Sequence, residues 1–330
     1  MQSDTVEVAP GITAIDTLMA GRPRYTAAYL VTADQPTLVE TGPTTSVDPV
    51  NESLRRLGID PDALAHIVVT HIHLDHAGGV GRLASRFPRA TIWVHERGAQ
   101  HLVDPSKLLA SATRVYGKQR LHELFGPVEP VPAGRLRSLN DGDRLRLGGR
   151  ALDVLYTPGH ASHHIALVDS DTGAVFTGDA LGIHLPDLPV LRPATPPPDF
   201  DIDLANQSID RIRARARGPL LLAHFGPVRE IGAVCDLAKR RIVGWGEIVR
   251  RALQTTEDLD EVTGILERET AEELRTGADA PLDLERFETL SSVRTNAMGL
   301  IRYWKKRAEQ ESGPQQAGTA ASRSSPAQPS

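Results

Sequence analysis

The sequence predicts an α/β fold followed by a helical extension, and three observations predict it. Over roughly the first 228 residues, short apolar and β-branched runs alternate with helical stretches and turn signals. Potential metal ligands recur just after the ends of those apolar runs, where α/β sheets gather their ligands. From about residue 229 onward only helical periodicity remains. The expected organisation is a body over 1–228, a helical extension over 229–310 and a tail over 311–330.

Composition narrows the class. Of the 330 residues, 40% are hydrophobic and 24% charged, the usage of a globular chain that buries a sizeable core. Lys and Arg total 37 against 42 Asp and Glu, a formal charge of −5, which argues against binding nucleic acid through bulk charge. The lone Cys235 cannot form an internal disulfide, and a reducing compartment is expected. No apolar run approaches the ~20 residues of a membrane helix. Met1-Gln-Ser-Asp-Thr-Val-Glu-Val lacks the basic and apolar regions of a signal peptide, so cytoplasm is the expected location.

Ala27–Thr32 and Thr37–Glu40 read as short strands, the second closed by the turn signal Thr41-Gly42-Pro43. Val47, Val50, Leu54 and Leu57 carry helical spacing over 46–57, broken at Ile59-Asp60-Pro61. Ala65–Thr70 is a mostly apolar, β-branched run, the mark of a strand buried on both faces. A helix from Gly79 to Phe87 and a strand over Ala90–Val94 follow; Gly78-Gly-Val-Gly81 serves close packing of that helix start, being too short for a phosphate loop. Leu102, Leu108, Leu109, Val115, Leu121 and Leu124 do not alternate, so 99–125 is a helical insertion. Strands return over 131–178, punctuated at Gly142, Gly148-Gly149 and Asp171-Thr-Gly173. Six prolines make 185–200 an irregular loop, a helix spans 201–217, and Leu220–Ala223 is a further buried strand. Helices are then expected over 229–253, 257–275 and 282–309, with Cys235 in a core position. Gly313–Ser330 has no large apolar group and is expected to be disordered.

Histidine is concentrated. His71, His73 and His76, with Asp75, leave the 65–70 strand together. In extended chain, residues two apart point the same way, so His71 and His73 can grip one ion while Asp75 and His76 face a second. His160 follows Val154-Leu-Tyr-Thr-Pro-Gly, Asp179 follows Ala174-Val-Phe-Thr-Gly, and His224 follows Leu221-Leu-Ala. Each alone reads as a hydrogen-bonded side chain; four such placements in one chain read as a metal centre.

The order His-x-His-x-Asp-His, Thr-Pro-Gly-His, Thr-Gly-Asp and a strand-terminal His resembles the metallo-β-lactamase-fold hydrolases, and within them the glyoxalase II-like and lactonase-like branch. The resemblance covers about residues 8–228. It implies a four-layer αβ/βα sandwich with metals at one edge. It also implies His71, His73 and His160 on a first ion, Asp75, His76 and His224 on a second, and Asp179 between them. Early in the chain Glu40-Thr41-Gly42 stands where the family usually has Asp-Thr-Gly, a position resembling support for a ligand. The family gives His163 and His164 no ligand role, and they read as structural. His66, His95, His101, His122 and His184 are read as surface or core residues.

Such a site implies a zinc-dependent hydrolase cleaving an ester, thioester or lactone by a metal-bridging hydroxide, with two Zn2+ (iron or manganese as alternatives) and with Asp75 and Asp179 catalytic. Competing readings are a mononuclear iron dioxygenase of the same fold on His71, His160 and Asp179, a nuclease, and a non-enzymatic metal-binding module. The intact second set speaks against the first, and the absence of a clear basic surface against the second. A small-molecule substrate with an acyl or aromatic group is expected, because Tyr116, Leu109, Phe125, Leu185 and Leu188 are placed to wall the pocket. Leu284, Phe287, Leu290, Val293, Met298, Ile301 and Trp304, with Leu300 and Tyr303 beside them, build an apolar stripe over 282–309. It is expected to pack on the chain's own body at the pocket rim, with a homodimer as the competing outcome.

Overall fold

A computed structural model describes residues 2–185, 190–274 and 284–312. Seven strands form the first sheet in chain order: β1 (Thr5–Ala9), β2 (Ile12–Asp16), β3 (Ala27–Val31), β4 (Thr37–Val39), β5 (His66–Val68), β6 (Thr91–His95) and β7 (Leu136–Leu139). β1 to β4 pair antiparallel and β4 to β7 parallel. The second sheet contains β8 (Arg144–Arg146), β9 (Ala151–Tyr156), β10 (Ile165–Asp169) and β11 (Val175–Gly178). A two-stranded ribbon of β12 (Ile183–His184) and β13 (Leu191–Arg192) interrupts it before β14 (Leu220–Leu222) and β15 (Pro227–Val228) complete it.

Alternating side chains put each sheet between two apolar layers. Val39 and Val68 point to the space between the sheets, where they meet Leu152, Ile165, Phe176 and Leu221. Their neighbours Leu38 and Ile67 point outward. There they are covered by α1 (Val47–Arg56), the single turn α2 (Leu74–Ala77), α3 (Val80–Arg86) and α4 (Glu96–Val103). Leu220 and Leu222 face the opposite outer layer, made by α7 (Ile202–Arg215), α8 (Ile231–Ala252), α9 (Leu259–Thr270) and α11 (Val293–Ser312). The insertion forms α5 (Ser106–Tyr116) and α6 (Lys118–Phe125), and α10 (Leu284–Leu290) precedes α11. This is the expected four-layer αβ/βα sandwich with C-terminal helices. Among the described residues no helix is long and apolar enough to cross a membrane.

Four differences from the sequence expectation have physical causes. β1 was not legible, because Thr5–Ala9 leaves its first three residues exposed, and β2 stands as a strand through its pairing with β1 and β3 on either side. The proline-rich loop contains β13, which pairs only with the two residues of β12. The helix expected over 282–309 is two helices, parted at Ser291 and Ser292, whose hydroxyls bond Pro193 O and Thr295 Oγ1. That break resets the phase of the apolar stripe: Val293, Ala297, Leu300 and Tyr303 are the buried set of α11, while Ile301 and Trp304 are partly buried. The stripe packs on the chain's own body. The 257–275 helix ends at Thr270 and continues as a tighter turn over Ala271–Leu274. The expectations for Leu188 and for Gly313–Ser330 fall outside the described residues.

Candidate metal centre

All seven predicted ligands meet at one edge of the sandwich. His71 and His73 leave β5, with Asp75 and His76 on α2; His160 follows β9, Asp179 follows β11 and His224 follows β14. The chain closes tightly here. Gly178 has φ +49°, and a Cβ there would stand 2.5 Å from both His164 Nε2 and Thr70 Oγ1, so only glycine lets β11 deliver Asp179 to this point.

Two groups of donor atoms share Asp179. His73 Nδ1 stands 3.0 Å from His71 Nε2 and 2.9 Å from His160 Nε2. On the other side, His224 Nε2 is 3.3 Å from Asp75 Oδ2, and His76 Nε2 is 3.6 Å from the same oxygen. Asp179 turns Oδ2 to His160 Nε2 at 3.5 Å and Oδ1 to His76 and His224 at 3.2 and 3.4 Å. The sets His71–His73–His160, His71–His76–Asp179 and Asp75–His76–His224 each hold donor atoms within 4.8 Å of one another. Asp179 Oδ1, His76 Nε2 and His224 Nε2 are buried without a hydrogen-bond partner among the described residues.

The far nitrogens of these imidazoles are fixed by neighbours. Nδ1–H of His160 donates to Ala194 O and that of His224 to Tyr25 O, both at 2.9 Å, so that in the neutral ring the lone pair lies on Nε2, the nitrogen turned toward the other candidate ligands. His71 Nδ1 pairs with Thr70 Oγ1 at 3.0 Å. Glu40 approaches His76 Nδ1 at 3.4 Å. His164, read as structural, spans Thr157 Oγ1 at 2.8 Å and the N–H of Asp179 at 3.1 Å, so it holds the bridge's backbone.

Charge is distributed unevenly. Burial holds His71 and His73 well below the ordinary histidine range and also lowers His160. Burial opposes charge on His76 too, but Asp179, Asp75 and Glu40 outweigh it and raise its pKa well above the ordinary value. His224 rises to about 9 against the same burial, through Asp179 and Asp75. Burial likewise works against ionising Asp75, yet His76 and His224 bring it down to about 2, and the same neighbours with His160 lower Asp179.

The centre opens on a cavity of about 320 Å3. Tyr116 and Phe125 line it as expected, with ring centroids 5.2 Å apart. Leu109 and Leu185 do not: Leu109 is partly buried in the cluster of Met19 and Tyr25 behind that wall without lining it, and Leu185 packs with Phe287. Leu108, one helical position earlier, takes the wall instead. Sequence reasoning missed His101, which lines the cavity with Arg97 and Lys107, and missed Asn296; Leu290, from the apolar stripe expected at the pocket rim, lines the cavity too. It also missed Tyr25 and Ala194, whose main-chain carbonyls carry no residue-type signal.

The sequence profile described as Metallo-beta-lactamase superfamily matches residues 21–224. A metallo-beta-lactamase fold-containing protein of Sulfurisphaera tokodaii is 32% identical over 140 residues, 41% of this chain and 51% of that protein. A hydroxyacylglutathione hydrolase of Aeromonas hydrophila is 33% identical over 134 residues, 41% of this chain and 39% of the relative. The chain thus spans about half the length, or less, of the curated relatives it matches. An archaeal metallo-beta-lactamase superfamily structure from Sulfolobus tokodaii superposes with a TM-score of 0.65 at 21% identity, covering 88% of this chain and 98% of that one. A metallo-beta-lactamase family protein from Thermus thermophilus gives 0.60 at 20% identity, over 91% and 95% of the two chains, and both show the shared fold. With the profile spanning most of both sheets and every motif residue drawn to one edge, the chain belongs to the metallo-beta-lactamase superfamily.

Proposed function

We propose that this chain is a zinc-dependent hydrolase of an ester, thioester or lactone, with residues 1–228 as its catalytic body. One observation carries the reading: the convergence of Asp179 Oδ1, His76 Nε2 and His224 Nε2, buried and without hydrogen-bond partners. Asp179 Oδ1 lies 3.2 Å from His76 Nε2 and 3.4 Å from His224 Nε2, and a cation between them would give each of the three a ligand bond. Imidazole and carboxylate are donors zinc accepts, so the residues fit the metal. His71, His73 and His160 would hold one ion and Asp75, His76 and His224 the other, with Asp179 shared. Zinc bound there supplies Lewis acidity, lowering the pKa of water and polarising a carbonyl.

The chain's own groups do the rest. Asp75, kept ionised and lining the cavity, can accept a proton from the attacking water and pass it to the leaving group. Tyr116 stays protonated, because burial raises its pKa, and so presents a hydrogen-bond donor on the same wall. Leu108, Ala112, Val115 and Phe125 exclude water around an acyl or aromatic group. Arg97 and Lys107 line the cavity without an ion-pair partner among the described residues, which favours a substrate that also carries a negative charge. The relatives named as hydroxyacylglutathione hydrolases support thioester chemistry. The test is a hydrolysis screen of the zinc-loaded protein across lactones, acyl-glutathione thioesters, aryl esters, β-lactams and phosphodiesters. Turnover of an ester, thioester or lactone that a chelator abolishes is the expected result; preferred phosphodiester cleavage, or no turnover, overturns it.

A further inference from the structure

The loop between β13 and α7 supplies the carbonyl that orients His160, and the C-terminal helices grip that loop on both sides of it. Before Ala194, the buried Arg192 donates from Nη1 to Glu288 Oε1 at 2.5 Å and to Ser291 O at 3.1 Å. Its guanidinium lies over the Phe287 ring, 4.9 Å from the centroid. Ser291 Oγ donates to Pro193 O at 2.8 Å. After Ala194, Asn296 Oδ1 accepts both the N–H and the hydroxyl of Thr195, each at 2.7 Å. Asn296 Nδ2 donates to Ser291 Oγ at 2.7 Å and to Ser292 O at 3.0 Å, so this amide, 1% exposed, has its polar atoms satisfied. Helix and loop meet backbone to backbone: a Cβ on Gly299 would fall 1.9 Å from Thr195 O. Between the two grips, Ala194 O takes the Nδ1–H of His160 at 2.9 Å.

We propose that Asn296 is a positioning residue for His160, acting through Thr195 and the Ala194 carbonyl, so that the C-terminal extension is part of the support of the metal centre. The inference rests on the metalloenzyme reading above. A carbonyl opposite Nδ1 fixes the tautomer and ring angle of a ligating histidine, and loss of such partners weakens metal binding by roughly 10- to 100-fold. Asn296 acts one residue further out, so the lower end of that range applies.

The experiment uses the full chain and four substitutions. Asn296→Ala removes the grip, and Thr195→Val removes one of its hydrogen bonds. Thr195→Ser keeps that bond. Val262→Ala loosens the same helical layer from α9, where Val262 is buried in the core on a different helix from the one that carries Asn296. Zinc affinity is read by competition with a chromophoric chelator, the electronic spectrum after cobalt substitution reports ligand geometry, and melting temperature is read on metal-free protein. Asn296→Ala and Thr195→Val should weaken one of two bound ions, roughly tenfold for Asn296→Ala, and shift the cobalt bands. Thr195→Ser and Val262→Ala should keep the parental affinity and spectrum, although Val262→Ala melts earlier. Unchanged affinity and spectrum in Asn296→Ala and Thr195→Val overturn the proposal, as does an equal change in Val262→Ala. If Asn296→Ala does not fold, Thr195→Val decides. A parent chain that binds no zinc overturns the metalloenzyme reading itself and this inference with it.

Discussion

Glu40 and His76 face each other inside the protein, with Oε2 of the carboxylate 3.4 Å from Nδ1 of the imidazole. The other oxygen, Oε1, accepts the Thr70 N–H at 3.1 Å, so one side chain ties the end of β5 to the histidine beyond it. Glu40 holds a left-handed backbone, φ 66°, a conformation costing a residue with a Cβ about 1–2 kcal/mol. The cost is consistent with a carboxylate that orients a ligand. Glu40→Gln should therefore weaken binding of the ion assigned to His76 by roughly tenfold while leaving the other ion in place. Stepwise zinc titration against a chelating dye checks this, and two unchanged binding steps would contradict it.

Asp179 offers one oxygen to each group of donors. Asp179→Ala should lower activity by more than the roughly 100-fold upper range for losing a partner that merely supports a ligand. It should also lower metal content below two ions per chain, read by elemental analysis after zinc reconstitution. A variant that keeps two ions and near-parental turnover would show that the centre is wrongly assembled.

Metal-free protein should be least stable at the two ends of the pH range. His224, with its pKa drawn up to about 9, contributes stability that is fully present below the unfolded value of about 6.5 and is lost as pH rises through 9. His163, held down to about 3 by burial, acts at the other end. Below about 6.5 the unfolded chain takes up a proton that the native site refuses, and stability falls as the medium acidifies. Melting curves in chelator should peak near neutrality, and His224→Ala should flatten the alkaline side. A monotonic dependence from pH 5 to 9 would refute the assignment.

The cations on the cavity wall make a prediction about substrates. Replacing both Arg97 and Lys107 by Ala should raise KM for an anionic substrate roughly tenfold, the factor that ~1.4 kcal/mol of lost attraction produces. With kcat retained, this is the signature of lost ground-state binding. A neutral substrate of the same size should be unaffected, and equal losses for both would remove charge from the specificity.

The parts of this protein written in side-chain type were legible in its sequence. His71, His73, Asp75 and His76 announce themselves by spacing after a buried strand, and Asp179 and His224 by standing just past the ends of apolar runs. What stayed hidden depends on main-chain atoms or on phase. The carbonyls of Ala194 and Tyr25 could belong to any residue. The two serines at 291–292 shift the buried face of α11 by breaking the helix, which a search for periodic apolar residues passes over. Leu108 and Leu109 are equally apolar, and only the axis of α5 decides which of them meets the cavity.

The grip of Asn296 on Thr195 also sets an order of events during synthesis. A growing chain releases its N-terminal part first, so every candidate ligand from His71 to His224 leaves the ribosome before Ser291 and Asn296 do. Until those residues emerge, the loop carrying Ala194 lacks the hydrogen bonds that hold Pro193 and Thr195 on either side of it. All candidate ligands are thus in the chain some seventy residues before Asn296, and on the proposal above α11 is the element that completes the support of His160.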